Sequence, residues 1–267
     1  MLKDITIGQY LPLDSLIHKL DSRTKIISTI FYIVSVFLIN NLYSYALVVL
    51  YLILCISFSK VHFKFILKGL RPIVFLIVFT SILQLFFTSG VEVLYKLGPF
   101  VIYKESVIRT IVLIFRLIFM IVGTSLMTLT TSPIELTDGI ESLMRPLKRI
   151  GVPAHEIAMM LTIALRYIPI LMDETDKIMK AQMSRGAELD SKNIIKKAKN
   201  LIPILIPLFV SSIRRSDELS MAMESRCYRG GEGRTKLKKL EFVSMDYVAF
   251  AITGVYLLLC IGSRFVL

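Results

Sequence analysis

The chain alternates between long apolar blocks and short polar breaks over its first half. Residues 26–39 and 42–58 are apolar runs separated by Asn40-Asn41. Each falls somewhat short of the ~20 residues a membrane-spanning helix needs, but flanking residues make up the length, and Asn-Asn suits a tight hairpin. A third run, 72–88, opens on Pro72, where the missing N–H does little harm. A fourth extends from about 106 to 131 and a last one from about 244 to 262. Between these last two the pattern changes. In 132–240 apolar residues recur at helical spacing (Ile157, Leu161, Ala164, Ile168, Leu171, Met172), with Arg166, Asp173, Glu174 and Lys177 on other faces.

Three helices are expected in that segment. Ser132-Pro133-Ile134-Glu135 combines a capping box with Pro at the first helical position, and Gly151 followed by Pro153 ends the helix it starts. A second helix is expected over 154–183 and a third from near Ser191 to Ser225. Residues 201–213 are apolar but too short to span, and Pro203 and Pro207 interrupt them, so an amphipathic helix against bilayer or bundle fits better. Residues 155–172 are apolar enough to tempt a sixth span; Arg166 and Pro169 argue against it. Before the first span, Asp21 or Ser22 is placed to cap a helix start.

Composition agrees with a membrane protein: 55% of residues are hydrophobic and the mean hydropathy is +0.69. With no Trp, any aromatic belt falls to 11 Tyr and 16 Phe. The net charge of +12 points to nucleic acid only at first sight. The basic residues cluster between spans, as expected of positive-inside bias and attraction to anionic lipid. Four basic residues lie in the N-terminal segment (Lys3, Lys19, Arg23, Lys25) and four at 59–71 (Lys60, Lys64, Lys68, Arg71), against Lys96 and Lys104 at 89–105. Five spans with an inside N-terminus then place the basic 132–240 segment inside; a sixth span would move most of it outside. The expected fold is an all-α integral membrane protein with about five transmembrane helices and a cytoplasmic three-helix coupling insert between the fourth and fifth. The domains are 1–131, 132–240 and 241–267.

Candidate chemistry is sparse. Cys55, Cys227 and Cys260 share no spacing motif, and His18, His62 and His155 are scattered, so neither a disulfide framework nor a metal site is expected. The first twenty residues lack a continuous apolar core, so no signal peptide is expected. No GxxxxGK[ST], HExxH or GxSxG occurs, and no catalytic constellation is found. Arg109 and Arg116 share one face of the fourth span. A charge at mid-bilayer costs about 2.5–3.5 kcal/mol on insertion scales. Arg109, four residues after Glu105, can snorkel outward; Arg116 is deeper and reads either as a buried polar anchor within the bundle or as a functional group.

Two short motifs stand apart, Ser184-Arg185-Gly186 and Ser225-Arg226-Cys227, each where a helical pattern gives out. A guanidinium at an exposed helix end is shaped for bidentate pairing with a carboxylate, and small neighbours admit a partner's backbone. Two copies in one basic insert fit contact with another protein. A stand-alone secondary carrier or channel is the alternative reading, and a membrane-bound enzyme a further one.

With these motifs the chain resembles a known family, the transmembrane T component of energy-coupling factor (ECF) transporters (EcfT/CbiQ-like). The likeness is strongest at Leu20-Asp21-Ser22-Arg23-Thr24-Lys25, Arg166-Tyr167-Ile168-Pro169, Ala181-Gln182-Met183-Ser184-Arg185-Gly186-Ala187 and Ala222-Met223-Glu224-Ser225-Arg226-Cys227-Tyr228-Arg229-Gly230. The last two resemble the family's paired Ala-Arg-Gly coupling motifs, with Ser for Ala in both and Cys227 for Gly. The resemblance implies a non-catalytic scaffold in a prokaryotic cell membrane, with no cofactor of its own. Two ABC-type ATPases, which bind ATP and Mg, would dock on the coupling helices, Arg185 and Arg226 each entering a groove on one of them. A small membrane-embedded S component would capture a vitamin or another micronutrient. Its apolar contacts would fall on the faces around 155–172 and 201–213, with Ile157, Leu161, Ile168, Pro203 and Pro207 as candidates.

Overall fold

The structure is a computed structural model and describes residues 10–39, 42–97, 100–187, 194–231 and 240–266. The chain divides into two compact units, Gly8–Gly139 with Leu240–Leu267, and Ile140–Lys239.

The first unit is a helical bundle. A short helix α1 (Leu16–Lys19) precedes α2 (Ser22–Leu38) and α3 (Leu42–Ser59). Next come α4 (Phe63–Leu70), α5 (Val74–Phe87), α6 (Lys104–Thr130), the start of α7 (Pro133–Met144), and finally α10 (Ser244–Val266). α2 packs on α6 and α10, while α4 and α5 lie against α6. Its core contains Tyr32, Val36, Ile39, Val48, Leu52 and Leu126. Two hydroxyls inside it bond internally, Tyr32 to the Phe119 carbonyl (2.8 Å) and Ser35 to Tyr256 Oη (2.7 Å). The outer surface is apolar instead of polar, with Phe75, Phe87 and Leu258 among the most exposed side chains. Hydrocarbon neighbours are the environment in which such a surface costs nothing.

Polar groups cluster where α2 and α10 begin. Asp21 caps α2 by accepting from Arg23 N (2.8 Å) and pairs with the Arg23 guanidinium (2.7 Å), which lies 3.9 Å over the Phe242 ring. Asp246, fully buried, accepts from the backbone N–H of Asp21 (2.9 Å) and of Val243 (2.8 Å). Lys25 Nζ donates to the carbonyls of Thr130 (2.8 Å) and His18 (3.0 Å). The charged entry to the first span is thus a tied junction between segments remote in sequence.

Among the described residues, three helices are long and apolar enough to cross a membrane: α6, α8 (Ala154–Ser184) and Ser244–Ser263 of α10. The bent pair α4 and α5 passes the same test jointly, and Ser44–Ser59 is a shorter apolar helix. Some expectations change here. The polar stretch 59–71 holds helix α4, and the third apolar helix starts at Val74, because Pro72 sits in a turn that bends the chain by 55° between α4 and α5. The 89–105 loop contains an antiparallel hairpin, β1 (Val93–Leu97) with β2 (Phe100–Tyr103), in which Val93 faces Tyr103 and Leu97 faces Phe100. Glu105 turns its carboxylate to the Val91 and Glu92 backbone N–H groups (3.2 and 3.3 Å) in this loop.

The second unit is built on two long helices, α8 with 31 residues and α9 (Ile194–Ser225) with 32. Upstream, the capping box forms reciprocally: Glu135 N to Ser132 Oγ (3.3 Å) and Ser132 N to Glu135 Oε2 (3.4 Å). α7 then tightens into a 3-10 turn, Arg145–Ile150, that stops at Gly151. Both long helices run through their prolines, Pro169 in α8 and Pro203 and Pro207 in α9. The expected start near Ser191 lies outside the described residues; the helix expected through 201–213 and on to the second arginine motif is present as α9.

Candidate functional site

The two arginine motifs fold into the same object. α8 ends at Ser184, Arg185 is the cap, and Gly186 takes the left-handed conformation at φ +88°. Ala187 N then bonds back to the Gln182 carbonyl (3.0 Å) and Gly186 N to that of Met183 (3.0 Å). This pair of bonds is the Schellman closure, which satisfies the last carbonyls of a helix. α9 ends at Ser225 with Arg226 as the next residue, and Cys227 is left-handed at φ +57°. Tyr228 N bonds to Met223 O (3.0 Å) and Cys227 N to Glu224 O (2.9 Å). Bond for bond, Cys227 occupies the place of Gly186.

The setting explains the residue types. Both arginines are exposed, each at the negative end of a helix dipole, where a cation is favoured. Both serine hydroxyls fold back onto their helix, Ser184 Oγ to Lys180 O (3.0 Å) and Ser225 Oγ to Ala222 O (3.0 Å). A Cβ added to Gly186 meets nothing within 4 Å, so its glycine serves the backbone angle and not a close contact.

Side-chain bonds fix the relation between α8 and α9. Gln182 Nε2 donates to Pro203 O (3.4 Å), Ser211 Oγ to Glu174 Oε1 (3.0 Å), and Tyr228 Oη to Met159 Sδ (2.9 Å). Arg215 also pairs with Glu174. As residue numbers rise on one helix they fall on the other, so the pair is antiparallel along its length. Ser211 first, then Arg215, hold the Glu174 carboxyl below its ordinary range. Arg226 therefore lies beside the start of α8 and Arg185 at its far end, roughly two dozen residues on. At ~1.5 Å per residue the two turns stand roughly 36 Å apart along the axis.

The other candidate residues lie elsewhere. Ile157 is half-buried on α8, while Leu161 and Ile168 are exposed. Pro203 and Pro207 are exposed on α9 beside the buried Ile204, near exposed Ile202, Ile206 and Phe209. Arg116, in the other unit, donates from Nη2 to the Ile39 carbonyl (2.8 Å), while its Nε is enclosed with no partner among the described residues. Among the described residues no three His, Cys, Asp or Glu side chains gather as metal ligands.

Sequence reasoning missed one group. His155 Nδ1 meets Glu141 Oε1 at 3.0 Å, and the His155 ring lies against Gly231. His155 has no partner at helical spacing, so its neighbours come from fourteen residues upstream and from beyond the second arginine motif. The Tyr228-Arg229-Gly230-Gly231 stretch was the one available signal.

Comparison with known proteins adds to this geometry. Residues 14–237 match the model of the CbiQ family, described as cobalt transport protein. The "Energy-coupling factor transporter transmembrane protein EcfT" of Clostridium kluyveri is 56% identical over 265 residues, 99% of this chain and 98% of that one. Proteins of the same description from Thermosediminibacter oceani and Bacillus subtilis are 52% and 45% identical, over 99% and 92% of this chain and 100% and 93% of theirs.

Proposed function

The chain belongs to the CbiQ family and is the transmembrane component of an energy-coupling factor transporter, and on that premise we propose that its two arginine turns receive two ABC-type ATPase subunits. The observation that carries this reading is the pair of matching turns, each with an exposed arginine, set roughly 36 Å apart on one antiparallel hairpin by ~1.5 Å per residue. One small groove could not take both. Two separate acidic grooves could, each binding one guanidinium. ATP and Mg belong to those partners, and this chain carries out no catalysis. Movement of the ATPases shifts the hairpin, which reorients a small membrane-embedded S component holding a vitamin or another micronutrient. The exposed apolar faces of α8 and α9, with Leu161, Ile168 and Ile206, are its contact.

In this reading the chain is a multi-pass protein of a prokaryotic cell membrane, with its N-terminus and hairpin cytoplasmic. It has five spans and no nucleic-acid partner. α8 satisfies the length and composition of a span, but it is assigned to the hairpin. Its Glu174 is tied to Ser211 and Arg215 of α9, and a crossing would carry the basic segment after it to the other side. A cavity of about 90 Å³ lies in the bundle between Thr24, Ser28, Tyr51 and Gly123. A stand-alone carrier is the alternative reading, and solute transport by the chain reconstituted alone would favour it.

The test is the Arg185→Ala, Arg226→Ala double variant. If each arginine pairs with a buried carboxylate, truncation strands that charge at a cost of about 3–5 kcal/mol per site. ATPase subunits should no longer co-purify, while the variant still inserts. Wild-type recovery of both ATPases with the double variant would refute the docking role.

A further inference from the structure

The residues that follow Arg226 are held by the beginning of α8. Tyr228 Oη donates to Met159 Sδ at 2.9 Å. Three residues on, Gly231 lies so close to the His155 ring that a Cβ there would stand 2.6 Å from Cδ2 and 2.8 Å from Cγ. Glycine is required at 231 by contact, not by backbone angle. The ring cannot swing away freely, because Glu141 of α7 holds its Nδ1 at 3.0 Å. Its Nε2 is enclosed with no partner among the described residues, which shows how tightly the ring is covered. His155 and Glu141 keep 24% and 17% of their side-chain surface, so this is a half-buried joint and not a loose surface contact.

We propose that Glu141, His155 and Met159 form a clasp on Tyr228–Gly231 that fastens the second arginine turn to the start of α8. The other arginine turn ends that same helix. With the clasp closed, a pull on Arg226 enters α8 at its first turns and is delivered toward Arg185 along one continuous helix. With it open, the pull passes only into the end of α9. His155 and Glu141 are therefore positioning residues for coupling, although neither sits at either docking point. The clasp rests on the docking role of Arg226 proposed above.

The experiment uses the complex purified with its ATPases and the Arg185→Ala variant, so that a partner grips only Arg226. Hydrogen exchange is read with and without added ATP at two places, the Arg226 turn and residues 154–160. With His155 intact, ATP should change exchange at both. With His155→Ala added, the Arg226 turn should still respond and residues 154–160 should not. In that background Met159→Cys and Tyr228→Cys, with Cys227→Gly to remove the neighbouring thiol, should restore the response once a short bifunctional thiol reagent bridges them. A response at 154–160 that persists in His155→Ala, or that the bridge fails to restore, overturns the clasp. Absence of any ATP response at the Arg226 turn in the His155-intact complex overturns the docking role and the clasp with it.

Discussion

Exchanging the residues that follow the two arginines isolates what a left-handed cap costs. Gly186→Cys puts a side chain where φ is +88°, and Cys227→Gly removes one from φ +57°. An L-residue held left-handed costs roughly 1–2 kcal/mol. Glycine loses about 0.5–1 kcal/mol more backbone freedom on folding, which offsets part of that. A Cβ at Gly186 meets nothing within 4 Å, so no clash adds to the difference. The net expectation is about 0.5–1 kcal/mol, destabilising for Gly186→Cys and stabilising for Cys227→Gly. At one decade per ~1.4 kcal/mol this is about a two- to fivefold change in local opening. Hydrogen exchange on the detergent-solubilised protein reads it at Gly186 and Ala187, bonded to Met183 and Gln182, and at Cys227 and Tyr228, bonded to Glu224 and Met223. Exchange should quicken at the first pair and slow at the second. Changes of the same sign at both turns, or slower exchange in Gly186→Cys, would show that the turns are not held by the backbone angle.

Asp246→Ala should be among the more damaging changes in the bundle. It strands the N–H groups of Asp21 and Val243 at a buried site, about 1–3 kcal/mol for each unsatisfied donor, and should lower the melting temperature in detergent; an unchanged melt would contradict the role given to it. The Glu174 tie should respond to acid with a definite sign. Its carboxyl is depressed from the ordinary 4.5, so the folded form binds fewer protons than the unfolded one. The contribution is full above 4.5 and is lost as pH falls through the lower folded value. Glu174→Gln should abolish that acid response in α8–α9 exchange, and a response that survives the substitution would assign it to another group.

Much of the helical layout was legible because local residues decide it. Gly151, Gly186 and the Ser132-x-x-Glu135 box each mark a helix boundary by chemistry within a few residues. The matching closure at Cys227 was less legible, since nothing in a cysteine announces a left-handed angle; only the parallel with Gly186 hints at it. Pro203 and Pro207 break the apolar run without ending the helix: each lacks an N–H to donate, and α9 persists through the bonds that remain, as its amphipathic pattern predicts. The hairpin at 93–103 was hidden because Gly98-Pro99 reads as a loop with or without flanking strands. Asp246 on Asp21, Lys25 on Thr130 and His155 on Gly231 bridge long stretches of sequence, and single-chain periodicity carries no record of which distant residues meet.

An antiparallel helix pair has a local two-fold axis perpendicular to it, and rotation about that axis brings each C-terminal arginine turn onto the other. A single chain therefore offers a pseudo-symmetric pair of heads. Two partner subunits docked as proposed above would each meet a Ser-Arg turn closed by the same pair of backbone bonds. What breaks the equivalence is the next layer of residues, Gly186-Ala187 at one head and Cys227-Tyr228 at the other. Those four positions are where a scaffold of this design would tell two non-identical partners apart.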